Sequence, residues 1–193
     1  TSVKHYDGLL IGVTLVENLK MKYVLMALFI ATLVSCKADK ETPEAIDNYN
    51  DAASDITITS YDYNGFKPFL EKQDGKVHII NFWATWCKPC VEELPYFEMI
   101  NSQYSNEDVT VTLVSLDMPS MVDGHVIPFV KKNQIKSDVI LLDDPDANFW
   151  IRDINAQWTG AIPATIIYKN GKQKFYEQTF TFNQLQKELK SFL

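Results

Sequence analysis

The chain has 193 residues, with 18 Lys and Arg against 25 Asp and Glu, a formal net charge of −7 and 46% hydrophobic residues. Such a composition is ordinary for one globular domain with additional sequence. An acidic chain with Arg152 as its one arginine lacks the basic surface that binds phosphate backbones, so no nucleic-acid partner is predicted. Three cysteines exclude a scaffold held by several disulfides, and the apolar runs are shorter than the ~18–20 residues of a membrane-spanning helix.

Residues 1–36 are predicted to be an export signal. Met21 and Lys22 precede a short apolar run, residues 23–34. Residues 1–20 are predicted to lie before the true start at Met21, and the alternative is a longer signal. The sequence Leu-Val-Ser-Cys that ends at Cys36 resembles the bacterial lipobox, whose cysteine is acylated and becomes the first mature residue. The resemblance implies lipidation of Cys36 and an extracytoplasmic, periplasm-facing protein attached to a membrane. The alternative is a general signal peptide in which Cys36 has no role.

Residues 37–54 are predicted to form a flexible tether. Ile46 is their one aliphatic residue larger than alanine, so the segment cannot bury enough apolar surface to fold alone. As a coil it would span roughly 20–25 Å. The folded domain is therefore predicted to be residues 55–193.

Within that domain, strand and helix patterns alternate. Strands are predicted at 55–60, 77–84, 109–116 and 138–142, followed by a hairpin of 164–168 and 173–177 around Asn170-Gly171. Helices are predicted at 66–72, at 90–104 with a break or kink at Pro95, and at 124–133. A further helix is predicted from Asp144-Pro145 onward, with Asp144 as its cap, and the last one after a capping box at Thr181 and Gln184. This order predicts an α/β fold with a mixed central sheet and helices on both faces.

The reactive residues are concentrated in Trp86-Cys87-Lys88-Pro89-Cys90. A C-x-x-C pair alone can be half of a zinc site, two structural thiols or a redox pair. Structural zinc needs four Cys or His ligands, and the remaining candidates show no ligand spacing: Cys36, His5, His78 and His125. A structural thiol pair does not account for a position between a strand end and a helix start. The sequence thus favours a redox pair.

The predicted helix start explains the roles of the two thiols. Cys87 meets the positive end of the helix dipole and free backbone N–H groups, and Lys88 adds a nearby positive charge. These groups stabilise a thiolate that attacks disulfides. Cys90, one turn later, is placed to attack the mixed disulfide, and Pro89 fits a first turn where no donor is needed. No metal or bound cofactor is predicted.

The segment Asn81 to Cys90, N-F-W-A-T-W-C-K-P-C, resembles the active-site strand and turn of the thioredoxin superfamily. Gly160 to Thr165 resembles the cis-proline loop of the same family. The resemblance implies a thioredoxin-like fold and a cis Ile162–Pro163 bond beside the cysteines. It also implies substrate binding by Ile162 and Pro163, with Trp86 at the rim of the site.

An additional strand and helix at about 117–143 resemble the TlpA/ResA-like branch of extracytoplasmic thiol-disulfide oxidoreductases. Glu93 and Pro95 match a glutamate and a proline that follow the second cysteine in that branch. Asn81 stands where thioredoxin has a buried acid and cannot titrate, so Glu93 is predicted to accept the proton of Cys90. The alternative is that Glu93 is a solvated first-turn acid that interacts with the helix dipole.

By this resemblance, the protein exchanges a Cys87/Cys90 dithiol with protein disulfides, and reduction is the expected direction, for example in cytochrome c maturation. A membrane thiol carrier of the DsbD or CcdA type is the expected electron donor. Two other functions stay open. A thiol peroxidase would have Thr at position 84, where this chain has Ala, and a copper-binding or copper-delivery module would use both cysteines and a histidine.

Overall fold

The computed structural model describes residues 56–193, so the predicted signal, Cys36 and the tether lie outside the described residues. The strands of the described part form one mixed sheet: β1 (Thr59–Tyr61), β2 (Val77–Trp83), β3 (Val109–Ser115), β4 (Asp138–Leu142), β5 (Ala164–Lys169) and β6 (Lys172–Tyr176). Their order is β1-β4-β3-β2-β5-β6. The first four in this order are parallel, whereas β5 is antiparallel to β2 and β6 is antiparallel to β5.

Five α-helices lie within residues 56–193: α1 (Tyr63–Phe66), α2 (Lys88–Tyr104), α3 (Ile127–Lys132), α4 (Ala147–Ile154) and α5 (Phe182–Lys190). Two 3₁₀ turns, Lys67–Leu70 and Pro119–Met121, and a π-helical turn, Val122–Val126, connect them. Within the same residues, every helix is too short or too polar to cross a membrane.

The central strand β2 is buried along its whole length because helices cover both faces of the sheet. Ile79 and Trp83 pack in one core cluster with residues of α2 and α5. Ile80 and Phe82 pack in a second cluster with residues of α4, as the alternation of side chains along a strand requires. The predicted mixed sheet between two helical layers is confirmed.

The first predicted strand and helix begin at other residues. β1 starts at Thr59 because it pairs only with the last three residues of β4, 140–142. The predicted helix at 66–72 is replaced by α1 and a 3₁₀ turn. Asp62 accepts a hydrogen bond from Gly65 N at 2.8 Å and so caps a helix that begins earlier than predicted.

Two further predictions concern helix interruptions and caps. The predicted break at Pro95 is wrong, because α2 continues from Lys88 to Tyr104 and buries its apolar face against the sheet. Asp144 does not cap α4, because its carboxylate accepts hydrogen bonds from Tyr63 N and Asp146 N. The cap is Asp146, which accepts from Phe149 N at 3.2 Å.

The other elements follow the patterns in the sequence closely. β5 and β6 turn at Asn170 and Gly171, both with positive φ, as the hairpin motif predicts. The capping box of α5 is present between Thr181 and Gln184. The predicted helix at 124–133 is divided into the π-helical turn and α3.

Candidate active site

Cys87 and Cys90 lie where β2 leads into α2. Cys87 is the N-cap of α2, and its Sγ accepts a hydrogen bond from Cys90 N at 3.3 Å. The two sulfurs form a disulfide, with Cα atoms 5.3 Å apart. Cys87 is 6% exposed and Cys90 is fully buried, so Cys87 is the sulfur that solvent or another protein reaches first.

The residues between the cysteines support this turn. Pro89 lies in the first turn of α2, where a missing N–H costs no helical hydrogen bond. The Lys88 side chain is exposed, and its Nζ lies 3.7 Å from Glu92 Oε1. Because this ion pair is in solvent, the charge of Lys88 is screened and contributes little to the stabilisation of a thiolate at Cys87.

The loop before β5 lies against Cys87. The Ile162–Pro163 bond is cis, as predicted, and Pro163 is buried. Ile162 O lies 3.7 Å from Cys87 Sγ, which confirms the predicted contact between this loop and the cysteines. A disulfide sulfur carries no proton, so this approach is a van der Waals contact and leaves Ile162 O able to accept a hydrogen bond.

A carboxylate from the end of β6 holds the same loop. Glu177 accepts hydrogen bonds from Ala161 N at 3.0 Å, from Thr159 N at 3.2 Å and from the Thr159 hydroxyl. Burial disfavours the ionised form, but these hydrogen bonds outweigh it and lower the pKa of Glu177. No local pattern points to this residue, because its partners are 16 to 18 positions away in the sequence.

Two apolar side chains beside the turn are exposed to solvent. Trp86 is 61% exposed and directly precedes Cys87. Met118 is 68% exposed and follows Asp117, whose carboxylate accepts a hydrogen bond from Thr85 N. Both side chains are therefore one residue away from the contact between Thr85 and Asp117, and Trp86 offers apolar surface directly before Cys87 in the chain.

Glu93 is buried one helical turn after Cys90, on the sheet side of α2. Its Oε1 accepts a hydrogen bond from Asn81 Nδ2 at 3.0 Å, and its Oε2 accepts one from Phe180 N at 2.6 Å. The alternative of a solvated first-turn acid is therefore wrong. Glu93 is instead a buried carboxylate between β2 and the segment that leads into α5.

Burial is the main influence on the protonation of Glu93. It raises the pKa from 4.5 to about 7, and the hydrogen bonds from Phe180 and Asn81 oppose this rise. A carboxyl group with such a pKa can both accept and release a proton near neutral pH. This chemistry fits the predicted role of Glu93 beside Cys90.

Asn81 gives this carboxylate a neutral partner. Besides donating to Glu93, its Nδ2 donates to Thr165 Oγ1 at 3.1 Å, whereas its Oδ1 finds no hydrogen-bond partner among residues 56–193. Rotation of the amide by half a turn would present the oxygen to Glu93 instead. The site can therefore offer a donor to an ionised Glu93 and an acceptor to a protonated one.

Within the part of the chain that the structure describes, no group of three or more His, Cys, Asp or Glu side chains could hold a metal ion. His78 lies near the start of β2, and both of its ring nitrogens are already hydrogen-bonded, to Asp74 at 2.9 Å and to Thr110 at 2.7 Å.

A disulfide at the N-terminus of a helix, beside a cis-proline loop on a mixed sheet, defines a thioredoxin-fold thiol-disulfide oxidoreductase. The model of the Redoxin family matches residues 49–181, and the chain belongs to this family. It is a TlpA/ResA-like member of the thioredoxin superfamily.

Two curated relatives are similar over most of their length. The chain is 28% identical over 178 residues to the thiol-disulfide oxidoreductase ResA of Geobacillus thermodenitrificans (strain NG80-2), covering 91% of this chain and 96% of the relative. It is 30% identical over 141 residues to ResA of Geobacillus kaustophilus (strain HTA426), covering 72% of this chain and 75% of that relative. The protein is therefore a protein-disulfide oxidoreductase.

Solved structures show the same fold at lower sequence identity. A thiol:disulfide interchange protein of the thioredoxin family from Chlorobium tepidum TLS has a TM-score of 0.53 and 19% identity, covering 70% of this chain and 90% of that chain. A DsbF homologue from Corynebacterium diphtheriae has a TM-score of 0.51 and 21% identity, covering 61% of this chain and 72% of that chain.

Replacing Glu93 with Gln should change how stability depends on pH. Because the pKa of Glu93 is about 7 in the folded protein against an ordinary 4.5, the folded state binds the additional proton between these values. As the pH rises from about 4.5 to about 7, the free energy of unfolding of the wild type should therefore fall relative to that of Glu93→Gln. Above about pH 7 the difference between the two proteins should stay constant. Urea unfolding of both oxidised proteins across this range measures the effect.

The same variant should reduce disulfide substrates more slowly and with a flatter pH dependence, because Gln cannot accept the proton of Cys90. Gln can keep the hydrogen bond from Phe180 N and donate to a rotated Asn81, so the fold should be retained. Parallel stability curves and an unchanged rate profile would show that Glu93 does not titrate in this range.

Proposed function

We propose that this protein is a membrane-tethered reductant of disulfides in other proteins outside the cytoplasm, with apocytochrome c among the expected substrates. The observation that carries the proposal is the position of Cys87, slightly exposed at the helix N-terminus between Trp86 and Ile162 O. Similarity to the two ResA oxidoreductases supports it.

The exchange proceeds in two steps. The thiolate of Cys87 attacks one sulfur of the substrate disulfide, a new S–S bond forms, and the other substrate sulfur leaves and takes up a proton. Cys90 then gives its proton to Glu93 and attacks the Cys87 sulfur. The Cys87–Cys90 disulfide forms and the second substrate thiol leaves with a proton, so the substrate gains two electrons and two protons.

Substrate binding uses the surface around Cys87. An extended substrate segment lies beside the cis-proline loop and donates a backbone N–H to Ile162 O, while Pro163 has no N–H to present. Trp86 and Met118 contact its apolar side chains. The cysteine pair itself carries the electrons, so we propose no bound cofactor, and a membrane dithiol carrier of the DsbD or CcdA type returns the pair to the reduced form.

The direction of transfer is tested by the redox equilibrium of the purified protein. For a reductant, the Cys87–Cys90 disulfide should persist in a glutathione buffer and should open with dithiothreitol, because its reduced form must be able to reduce other disulfides. The fraction of free thiol is read by mass after alkylation. Ready reduction by glutathione would instead identify an oxidant.

The order of attack is tested by two matched substitutions. Cys90→Ser should accumulate mixed disulfides with substrate proteins, since Ser cannot resolve the bond at Cys87. Cys87→Ser should accumulate none, because Cys90 is fully buried. Non-reducing electrophoresis with mass spectrometry identifies the adducts, and trapping by Cys87→Ser alone would reverse the assignment.

The proposed location depends on Cys36. We expect lipid on this residue, with residues 37–54 as the tether, and therefore recovery of the protein with membranes. Cys36→Ala should release it to the soluble extracytoplasmic fraction with its exchange activity intact. An unmodified Cys36 in a soluble wild-type protein, found by mass spectrometry, would contradict lipid anchoring.

A further inference from the structure

The buried carboxylate of Asp117 lies behind the active-site turn and takes no part in the exchange steps above. It is 3% exposed, in the turn that follows β3. It accepts hydrogen bonds from Thr85 N at 3.0 Å, from Thr85 Oγ1 at 2.5 Å and from Ser115 Oγ at 2.8 Å. Its own backbone N donates to Ser115 Oγ at 3.1 Å.

These hydrogen-bond partners of Asp117 are all neutral. A buried charge is costly unless hydrogen bonds compensate it, and here the donors come from Thr85 and Ser115. Hydrogen bonds to an ionised group are roughly twice as strong as those between neutral groups. Two of the donors belong to Thr85, so the carboxylate mainly fixes the position of that residue.

Thr85 is part of the short segment that leads from β2 to Cys87. Leu116 N donates to Trp83 O at 2.8 Å, so the residues after β3 also hold the end of β2. Cys87 N donates to Ala84 O at 3.1 Å and closes the turn. Between these two backbone bonds, the hydrogen bonds of Thr85 with Asp117 tie the segment to the residues after β3.

We propose that Asp117 is a positioning residue for the disulfide exchange. It holds Thr85, and through Thr85 it sets where Cys87 Sγ stands relative to Cys90 and to an incoming substrate sulfur. The inference needs only the exchange at Cys87 and Cys90, so it is independent of the direction of transfer and of membrane attachment.

The equilibrium between the disulfide and glutathione measures this positioning. Two thiols that are held close have a high effective concentration toward each other, and small displacements reduce it strongly. A looser active-site turn should therefore make the Cys87–Cys90 disulfide less favourable relative to mixed disulfides with glutathione. It should also slow the step in which Cys90 attacks Cys87.

Asp117→Asn is the first test. The Asn side chain has one acceptor oxygen, and its NH₂ group would face the donors of Thr85 or Ser115. We expect the equilibrium constant for disulfide formation against glutathione to fall by about tenfold and the resolution of mixed disulfides to slow in parallel.

Thr85 provides variants that leave the charge unchanged. Thr85→Val removes the hydroxyl hydrogen bond while the carboxyl group of Asp117 is kept, so the equilibrium constant should fall in the same direction by a smaller factor. Thr85→Ser keeps the hydroxyl and should remain close to the wild type. This pair separates positioning from the effect that removing a negative charge has on nearby thiolates.

Glu98→Gln is the matched control for general destabilisation. Glu98 lies further along α2 and accepts hydrogen bonds from Lys136 N at 2.7 Å and Ser137 N at 3.2 Å, so it also holds a loop through backbone N–H groups. This variant should lower the melting temperature and leave the glutathione equilibrium unchanged.

A wild-type equilibrium constant in folded Asp117→Asn and Thr85→Val proteins would overturn the proposal. A shift in Glu98→Gln as large as that in Asp117→Asn would also overturn it, because general destabilisation would then explain the effect. If Asp117→Asn fails to fold, Thr85→Val decides the matter. If the glutathione equilibrium constant of Thr85→Val equals that of Thr85→Ser, the proposal is overturned. If the constant of Thr85→Val is lower, the proposal is supported.

Discussion

The capping of helix α2 by the Cys87 side chain is the interaction on which the rest of the site depends. An N-cap must satisfy a backbone N–H of the first turn, and here the sulfur that reacts accepts from Cys90 N. The group that begins the helix is thus the group that forms the disulfide. The same N–H groups and helix dipole stabilise a thiolate when the disulfide opens, so one local geometry serves the folded chain and its chemistry.

The topology of the sheet brings the second loop to the cysteines. Because β5 is antiparallel to β2, its first residue, Ala164, pairs with Phe82 near the end of β2. Pro163 and Ile162 therefore reach the same edge of the sheet as Cys87. Since β3 is parallel to β2, the residues after β3 also reach this edge, and Asp117 comes to lie beside Thr85. Three strand ends thus meet at one edge, and each contributes a part of the site.

The parts of the site with local patterns could be predicted from the sequence. The cysteine motif, the proline loop and the hairpin at Asn170-Gly171 each depend on residues close together in the chain. The hydrogen-bond partners of the buried acids could not be predicted from the sequence. Glu93 accepts from a backbone N–H that is 87 positions away in the chain, and Asp117 accepts from Thr85, which is 32 positions away. For the same reason the sequence left the burial of Glu93 open, and it placed the cap of α4 at the wrong aspartate.

The hydrogen bond from Phe180 N to Glu93 makes the C-terminal part of the chain belong to the site, although it is remote from the cysteines in sequence. Phe180 is buried in the core cluster that also contains Leu185 and Leu189 of α5, so that helix holds the donor in place. A fragment that stops after β6 would retain both cysteines and the proline loop. It would leave one oxygen of Glu93 without its donor and would also remove residues of the core cluster that covers this carboxylate, so both influences on its pKa would change. The functional unit therefore includes α5, and a truncation that removes Phe180 would change the acid–base behaviour of the site.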